Sequence, residues 1–87
     1  MRIVWYHFSE YFIEERKMYR RIRDMREDHD MSQTQLAKKL NMSQTGYSKY
    51  ETGENDIPTK ILIQLADLYD TSVDYLLGRT DNPKRYK

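Results

Sequence analysis

The chain has 87 residues, enough for one domain with a small core and too few for a separate catalytic or sensor domain beside it. Its 15 Lys and Arg stand against 14 Asp and Glu, a net charge of +1, so the total does not announce a nucleic-acid partner; what counts is whether the basic residues gather on one face. The absence of cysteine and the presence of His7 and His29 alone exclude a disulfide framework and a zinc site of recognisable spacing, no apolar run reaches bilayer length, and IVWYHF at residues 3–8 is too short for a signal peptide, so a cytoplasmic chain without metal or cofactor is expected.

In chain order, residues 1–17 (MRIVWYHFSEYFIEERK) are rich in aromatics. Trp5, Phe8 and Phe12 continue a three- and four-residue spacing towards Tyr19, Ile22 and Arg26, which extends a first helix backward from about residue 9. The alternative is a strand over residues 3–8 that pairs with its copy in another subunit. Three exposed aromatics need a surface to cover, so self-association through Trp5, Phe8 and Phe12 is placed ahead of a passive fold-back.

Residues 18–29 (MYRRIRDMREDH) set Met18, Ile22, Met25 and His29 on one side and Arg20, Arg21, Arg23, Asp24 and Glu27 on the other, the pattern of one amphipathic helix. His29 at its end suits the negative end of the helix dipole. Ser32 followed by Gln35 three residues later is a capping box, and Leu36, Ala37 and Leu40 form the stripe of a short second helix. Asn41 tolerates the left-handed backbone of a sharp corner, Ser43 caps a third helix, and Gly53 ends it. Tyr47 and Tyr50 form the buried side of this helix, and its polar residues are expected to face outward. After a loop at residues 54–57, Pro58 is expected in the first position of a fourth helix that turns Ile61, Leu62, Leu65, Ala66 and Tyr69 inward. Ser72 caps a short fifth helix carrying Val73, Leu76 and Leu77, and Gly78 closes it. The basic tail, residues 79–87, is expected to be loosely held, with Lys84, Arg85 and Lys87 solvated. The fold class is therefore all-α.

Residues 32–53 (SQTQLAKKLNMSQTGYSKYETG) thus read as two short helices around a tight turn, and a second helix presenting small polar side chains on such a corner is a common device for reading the major groove. The whole stretch 18–78, about two thirds of the chain, resembles the lambda-repressor-like, Cro-type helix-turn-helix family of bacterial and phage transcription regulators. SQTQLAKKL, the turn, SKYETG, ILIQLADLY and SVDYLLG occur in that family's order and spacing. The resemblance implies a five-helix domain that binds double-stranded DNA as a homodimer on an inverted repeat, with the third helix as recognition helix and repression as the commoner outcome.

Carried over by position, the resemblance makes Gln44 and Thr45 base readers, since Gln44 can bond adenine with both ends of its amide and Thr45 can touch a thymine methyl. Ser48 and Lys49, one turn on, are further base contacts, Lys49 reaching a guanine edge or a phosphate. Gln33 is implied to hold a phosphate and to buttress Gln44. Thr52 touches the backbone, and the amides around Thr59 and Lys60 complete a phosphate clamp. Arg26 and Glu51 fall where the family often places a partly buried ion pair joining its first and third helices. Ala37 is read as a small residue at a close helix crossing.

Two features depart from the family pattern. Glu54 and Asp56 put negative charge in a loop that faces the DNA backbone, and Gly46 leaves one outward position of the third helix without a side chain while lowering helix propensity by about 1 kcal/mol relative to Ala. The rival function is a protein-interaction module, such as an antitoxin-like partner, supported by the low net charge and the N-terminal aromatics. An enzyme is not expected: no acid and base sit together in a recognisable motif. The division expected is an aromatic extension (residues 1–17), a helix-turn-helix domain (18–78) and a basic tail (79–87).

Overall fold

The computed structural model describes residues 19–85. Among these residues there are five helices and no strand: α1 (Arg20–Asp28), α2 (Gln33–Lys39), α3 (Gln44–Thr52), α4 (Thr59–Tyr69) and α5 (Val73–Leu76). No helix among them is long and apolar enough to cross a membrane. Trp5, Phe8 and Phe12 lie outside the described residues. Tyr19 takes a non-helical conformation at the N-cap of α1 (φ −85°, ψ 89°), so α1 starts at Arg20 and does not run back unbroken through Tyr19.

The core is one cluster to which every helix contributes: Ile22 from α1, Leu36 and Ala37 from α2, Tyr47 from α3, Leu62, Leu65, Ala66 and Tyr69 from α4, and Leu76 from α5, with Leu40 and Ile57 from the connections. Ala37 is fully buried beside Leu36. A larger side chain there would force α2 away from its neighbours.

The starts of α2, α3 and α5 follow serine hydroxyl caps. Ser32 Oγ accepts from Gln35 N at 3.0 Å and Gln35 Oε1 accepts from Ser32 N at 2.8 Å, closing a capping box. Ser43 caps α3 through Gly46 N, and Ser72 caps α5 through Tyr75 N, both at 3.0 Å. Pro58 departs from the expected place: it stands at the N-cap of α4, and Thr59 is the first helical residue. Its ψ of 147° is extended, and a proline offers no side-chain acceptor, so the first turn of α4 has no side-chain cap.

The ends of α1, α2 and α4 share one device. Asp30 (φ 55°), Asn41 (φ 61°) and Asp70 (φ 54°) are left-handed although not glycine. In each case the next residue's amide reaches five residues back, Met31 to Arg26 O, Met42 to Ala37 O and Thr71 to Ala66 O, at 3.1, 3.0 and 2.9 Å. These closures satisfy carbonyls that a helix end leaves orphaned, and the short polar side chains of Asp and Asn tolerate the backbone they need. Asn41 thereby makes the corner between α2 and α3.

The tail is not loose as far as Arg85, contrary to the expectation from its composition. Arg21 on α1 donates through Nη1 to Tyr75 O at 3.0 Å and Thr80 O at 2.5 Å, and through Nη2 to Asp81 at 2.7 Å, while its guanidinium lies 4.1 Å from the centroid of the Tyr75 ring. Thr71 Oγ1 donates to Pro83 O at 2.5 Å. Arg85 is held by Asp67 at 2.6 Å and Asp70 at 3.5 Å, so it is paired rather than simply solvated. Backbone carbonyls of the tail, at Thr80 and Pro83 and invisible as a sequence pattern, share this work with the side chains of Asp81 and Arg85.

Two outcomes are expected. Asn41→Val should destabilise the fold by about 1–2 kcal/mol in chemical denaturation while Asn41→Gly should not, because a branched residue resists the left-handed corner. Arg21→Ala should lower stability by about 2 kcal/mol and speed amide hydrogen exchange at residues 79–81 relative to α2, since several bonds from one charged group are lost together.

Candidate nucleic-acid interface

The corner places the start of α3 in the open. Gln44 and Thr45, its first two residues, are exposed, and Ser48 and Lys49 one turn later are half-buried. Gly46 falls between them. A Cβ built there would sit 3.1 Å from Ser43 Oγ and 3.2 Å from Met42 Cε, so this position is pressed against the corner and a side chain on it would crowd the cap.

Behind the exposed turn lies a buried carboxylate. Glu51, on α3, has a side chain only 5% exposed, and that of Arg26 on α1 is 11% exposed. Arg26 Nε donates to Glu51 Oε2 at 2.7 Å and Nη2 to Oε1 at 3.2 Å, a two-toothed pairing, while Nη1 donates to Met31 O at 2.8 Å. Tyr47 Oη donates to the same Oε2 at 2.6 Å, and Gln33 Nε2 on α2 donates to Oε1 at 2.9 Å. One carboxylate is thus bonded from α1, α2 and its own helix. Glu51 corrects the expectation that all polar residues of α3 face outward: burial is tolerable here because four donors surround it.

The chain of bonds continues to the surface. Gln44 Nε2 donates to Gln33 Oε1 at 2.6 Å. The structure therefore brings Arg26 to Glu51 and Gln33 to Gln44, and it joins the two pairs through the Gln33 amide. Sequence reasoning did not anticipate that join, nor the phenol of Tyr47, whose position four residues before Glu51 on one helix face was the available signal. Tyr47 is fully buried and meets the half-buried Tyr50 edge to face, with ring centroids 6.3 Å apart; both rings are occupied by packing.

Burial alone would push the Glu51 carboxyl up, but hydrogen bonds from Arg26, Tyr47 and Gln33 and the positive charge of Arg26 outweigh it and hold the group below the usual carboxylate range. Burial first, and then the bond to Glu51, push the Tyr47 phenol well above its ordinary value. The Glu51 hydrogen bond keeps Arg26 even more firmly a cation.

Thr52 is exposed, and its Oγ1 lies 3.2 Å from both Lys49 O and Glu54 Oε1. Glu54 and Asp56 are exposed in the loop, which Ile57 anchors into the core. Thr59 and Lys60 are exposed at the uncapped start of α4 and make no bond to the corner residues. His29 packs its ring 4.8 Å from that of Tyr69, and its Nδ1 lies 2.8 Å from Met25 O.

Comparison with known proteins adds the following. The helix-turn-helix family matches residues 22–76. A protein described as the uncharacterized HTH-type transcriptional regulator YobD of Bacillus subtilis is 43% identical over 63 residues, covering 72% of this chain and 56% of that protein. The HTH-type transcriptional regulator ImmR of the same organism is 35% identical over 66 residues, 76% of this chain and 52% of its own length. The cryptic phage CTXphi transcriptional repressor RstR of Vibrio cholerae is 35% identical over 63 residues, 72% and 56% of the two chains. The chain spans about half the length of the curated relatives it matches. No solved structure matches it.

Removing one partner of the buried pair strands the other. Glu51→Ala should destabilise the domain by about 3 kcal/mol in chemical denaturation, against less than about 1 kcal/mol for the exposed Arg23–Glu27 pair broken by Arg23→Ala. Because the folded-state value of Glu51 is depressed, its stabilisation is complete above the ordinary value of 4.5 and is lost as pH falls through the lower folded value. Stability followed by denaturation across this acid range should fall more steeply in the native chain than in Glu51→Gln.

Proposed function

Because the chain belongs to the helix-turn-helix family, we propose that it is a sequence-specific DNA-binding regulator, acting as a repressor, whose α3 enters the major groove. The observation that carries this reading is the exposed Gln44–Thr45 turn of α3 held from behind by Gln33. A reading side chain must be open to a base edge yet fixed in direction, and a surface glutamine without such a tether meets only the first requirement. The relatives' descriptions as transcriptional regulators, and in one case as a repressor, support it. No enzymatic chemistry is part of this reading.

In this reading Gln44 and Thr45 contact bases, with Ser48 and Lys49 behind them along the groove. Gln33 and Thr52 contact phosphates. The amides at Thr59 and Lys60, which have no side-chain cap, receive a phosphate on the other side of the groove, where the helix dipole favours an anion. Two copies, arranged on half-sites about 34 Å apart, bind one face of an inverted repeat. Residues 1–17, carrying Trp5, Phe8 and Phe12, are the proposed means of pairing, and residues 18–78 the DNA-binding unit. The chain acts in the cytoplasm of a bacterium.

Binding-site selection from random duplex DNA, repeated at two salt concentrations, tests this. An enriched palindrome is expected, with affinity falling steeply as salt rises because phosphate contacts release counterions. Weak retention without sequence preference would favour instead a protein-interaction module on the same fold, in keeping with the acidic Glu54 and Asp56. Gln44→Ala should reduce discrimination at one base pair of the selected site about tenfold and leave nonspecific binding nearly unchanged.

A further inference from the structure

A carboxamide has two unlike ends, a carbonyl that only accepts and an amino group that only donates. A surface glutamine turns either end to a base with little preference. Gln44 is not in that position, because its amide is the last member of a chain whose first member has no choice. An ionised carboxylate accepts only, so Gln33 must turn its Nε2 towards Glu51, at 2.9 Å. Its Oε1 is then the end presented to Gln44, which must answer with Nε2, at 2.6 Å. The Glu51 carboxylate itself is held by the two-toothed Arg26 pairing and the Tyr47 phenol.

We propose that Glu51 is a positioning residue for base recognition: acting through Gln33, it fixes the polarity of the Gln44 amide and thereby selects adenine over guanine. The proposal rests on Gln44 being a base reader. With one Nε2 proton engaged by Gln33, Gln44 keeps its Oε1 and its second Nε2 proton free, an acceptor and a donor. That pair matches adenine, whose N6 donates and whose N7 accepts, and it mismatches guanine, which presents two acceptors at O6 and N7. Reversing the chain would invert the choice. If the group at position 51 donated, Gln33 would turn its carbonyl inward and its amino group outward, Gln44 would spend its carbonyl on Gln33, and two donors would face the groove. The buried carboxylate thus acts on sequence preference without approaching DNA. The second Nε2 proton of Gln33 remains free for a phosphate.

The test is Glu51→Gln in the full chain, since glutamine keeps the shape but can present either end to Gln33. Affinities are measured for a duplex selected by the native chain and for its variants at the base pair facing Gln44, with a distant base pair as control. The adenine-to-guanine ratio should fall about tenfold towards unity, while preference at the control position holds. An equal loss for both duplexes, leaving the ratio intact, would overturn the proposal. Gln33→Met cuts the relay and leaves the Arg26–Glu51 pair in place, so it should relax the same ratio even if Glu51→Gln folds poorly; a native ratio in Gln33→Met overturns the proposal as well. Side-chain amide NMR signals of the free protein give an arm independent of DNA. Those of Gln33 and Gln44 should shift together in folded Glu51→Gln while that of Gln35, locked in its capping box, stays still; movement of Gln33 alone would overturn the relay. Gln44→Ala separates the two readings. If it keeps the ratio, base reading by Gln44 fails, and the amide signals then decide the relay.

Discussion

The structure depends on a single buried negative charge. A carboxylate inside a small domain is tolerable only when its lone pairs are taken up, and Glu51 takes donors from Arg26 on α1, Gln33 on α2 and Tyr47 on its own helix. Helices this short have little stability of their own: α2 is 7 residues and α3 is 9, both below the length at which an isolated helix persists in water. Their mutual arrangement comes from packing around Leu36, Ala37 and Tyr47 and from this charge, which adds direction where apolar contact has none. A hydrophobic replacement could fill the volume, but it could not require a particular end of the Gln33 amide.

Local features of the fold were legible because they are written in adjacent residues. Ser32 with Gln35, Ser43 and Ser72 give the helix starts, and Asn41, Gly53 and Gly78 give stops, since each acts over one turn. Features that depend on backbone acceptors were not legible. Asp70 offers no sequence signal that separates a left-handed helix end from a solvated surface residue. Arg21 looks like one of several arginines on the polar side of α1, yet its partners are carbonyls of Tyr75 and Thr80, more than 50 positions away. The tail therefore reads as a solvated basic segment from composition and is pinned through residue 85 in the fold.

The same division runs through the interface. The exposed turn at Gln44 and Thr45 follows from the cap at Ser43 and the spacing of the inward Tyr47, and the Arg26–Glu51 pairing from family resemblance. The link between them is a side-chain contact across three helices, and no periodicity encodes it. Gly46 shows the converse: as a residue type it reads as an absent contact, whereas the neighbouring Ser43 Oγ and Met42 Cε make it a place where a side chain would crowd the corner.

The clamp on the tail carries an evolutionary consequence. Arg21 and Thr71 grip the segment largely by main-chain oxygens, those of Thr80 and Pro83, and a carbonyl is the same whichever residue bears it. At these two carbonyls selection therefore falls on the donors, Arg21 on α1 and Thr71 in the connection after α4, and not on the residues that bear the oxygens. Positions 80 and 83, held by their carbonyls, are free to drift in sequence among descendants of this chain while Arg21 and Thr71 persist, whereas Asp81 and Arg85, held by their side chains, are not.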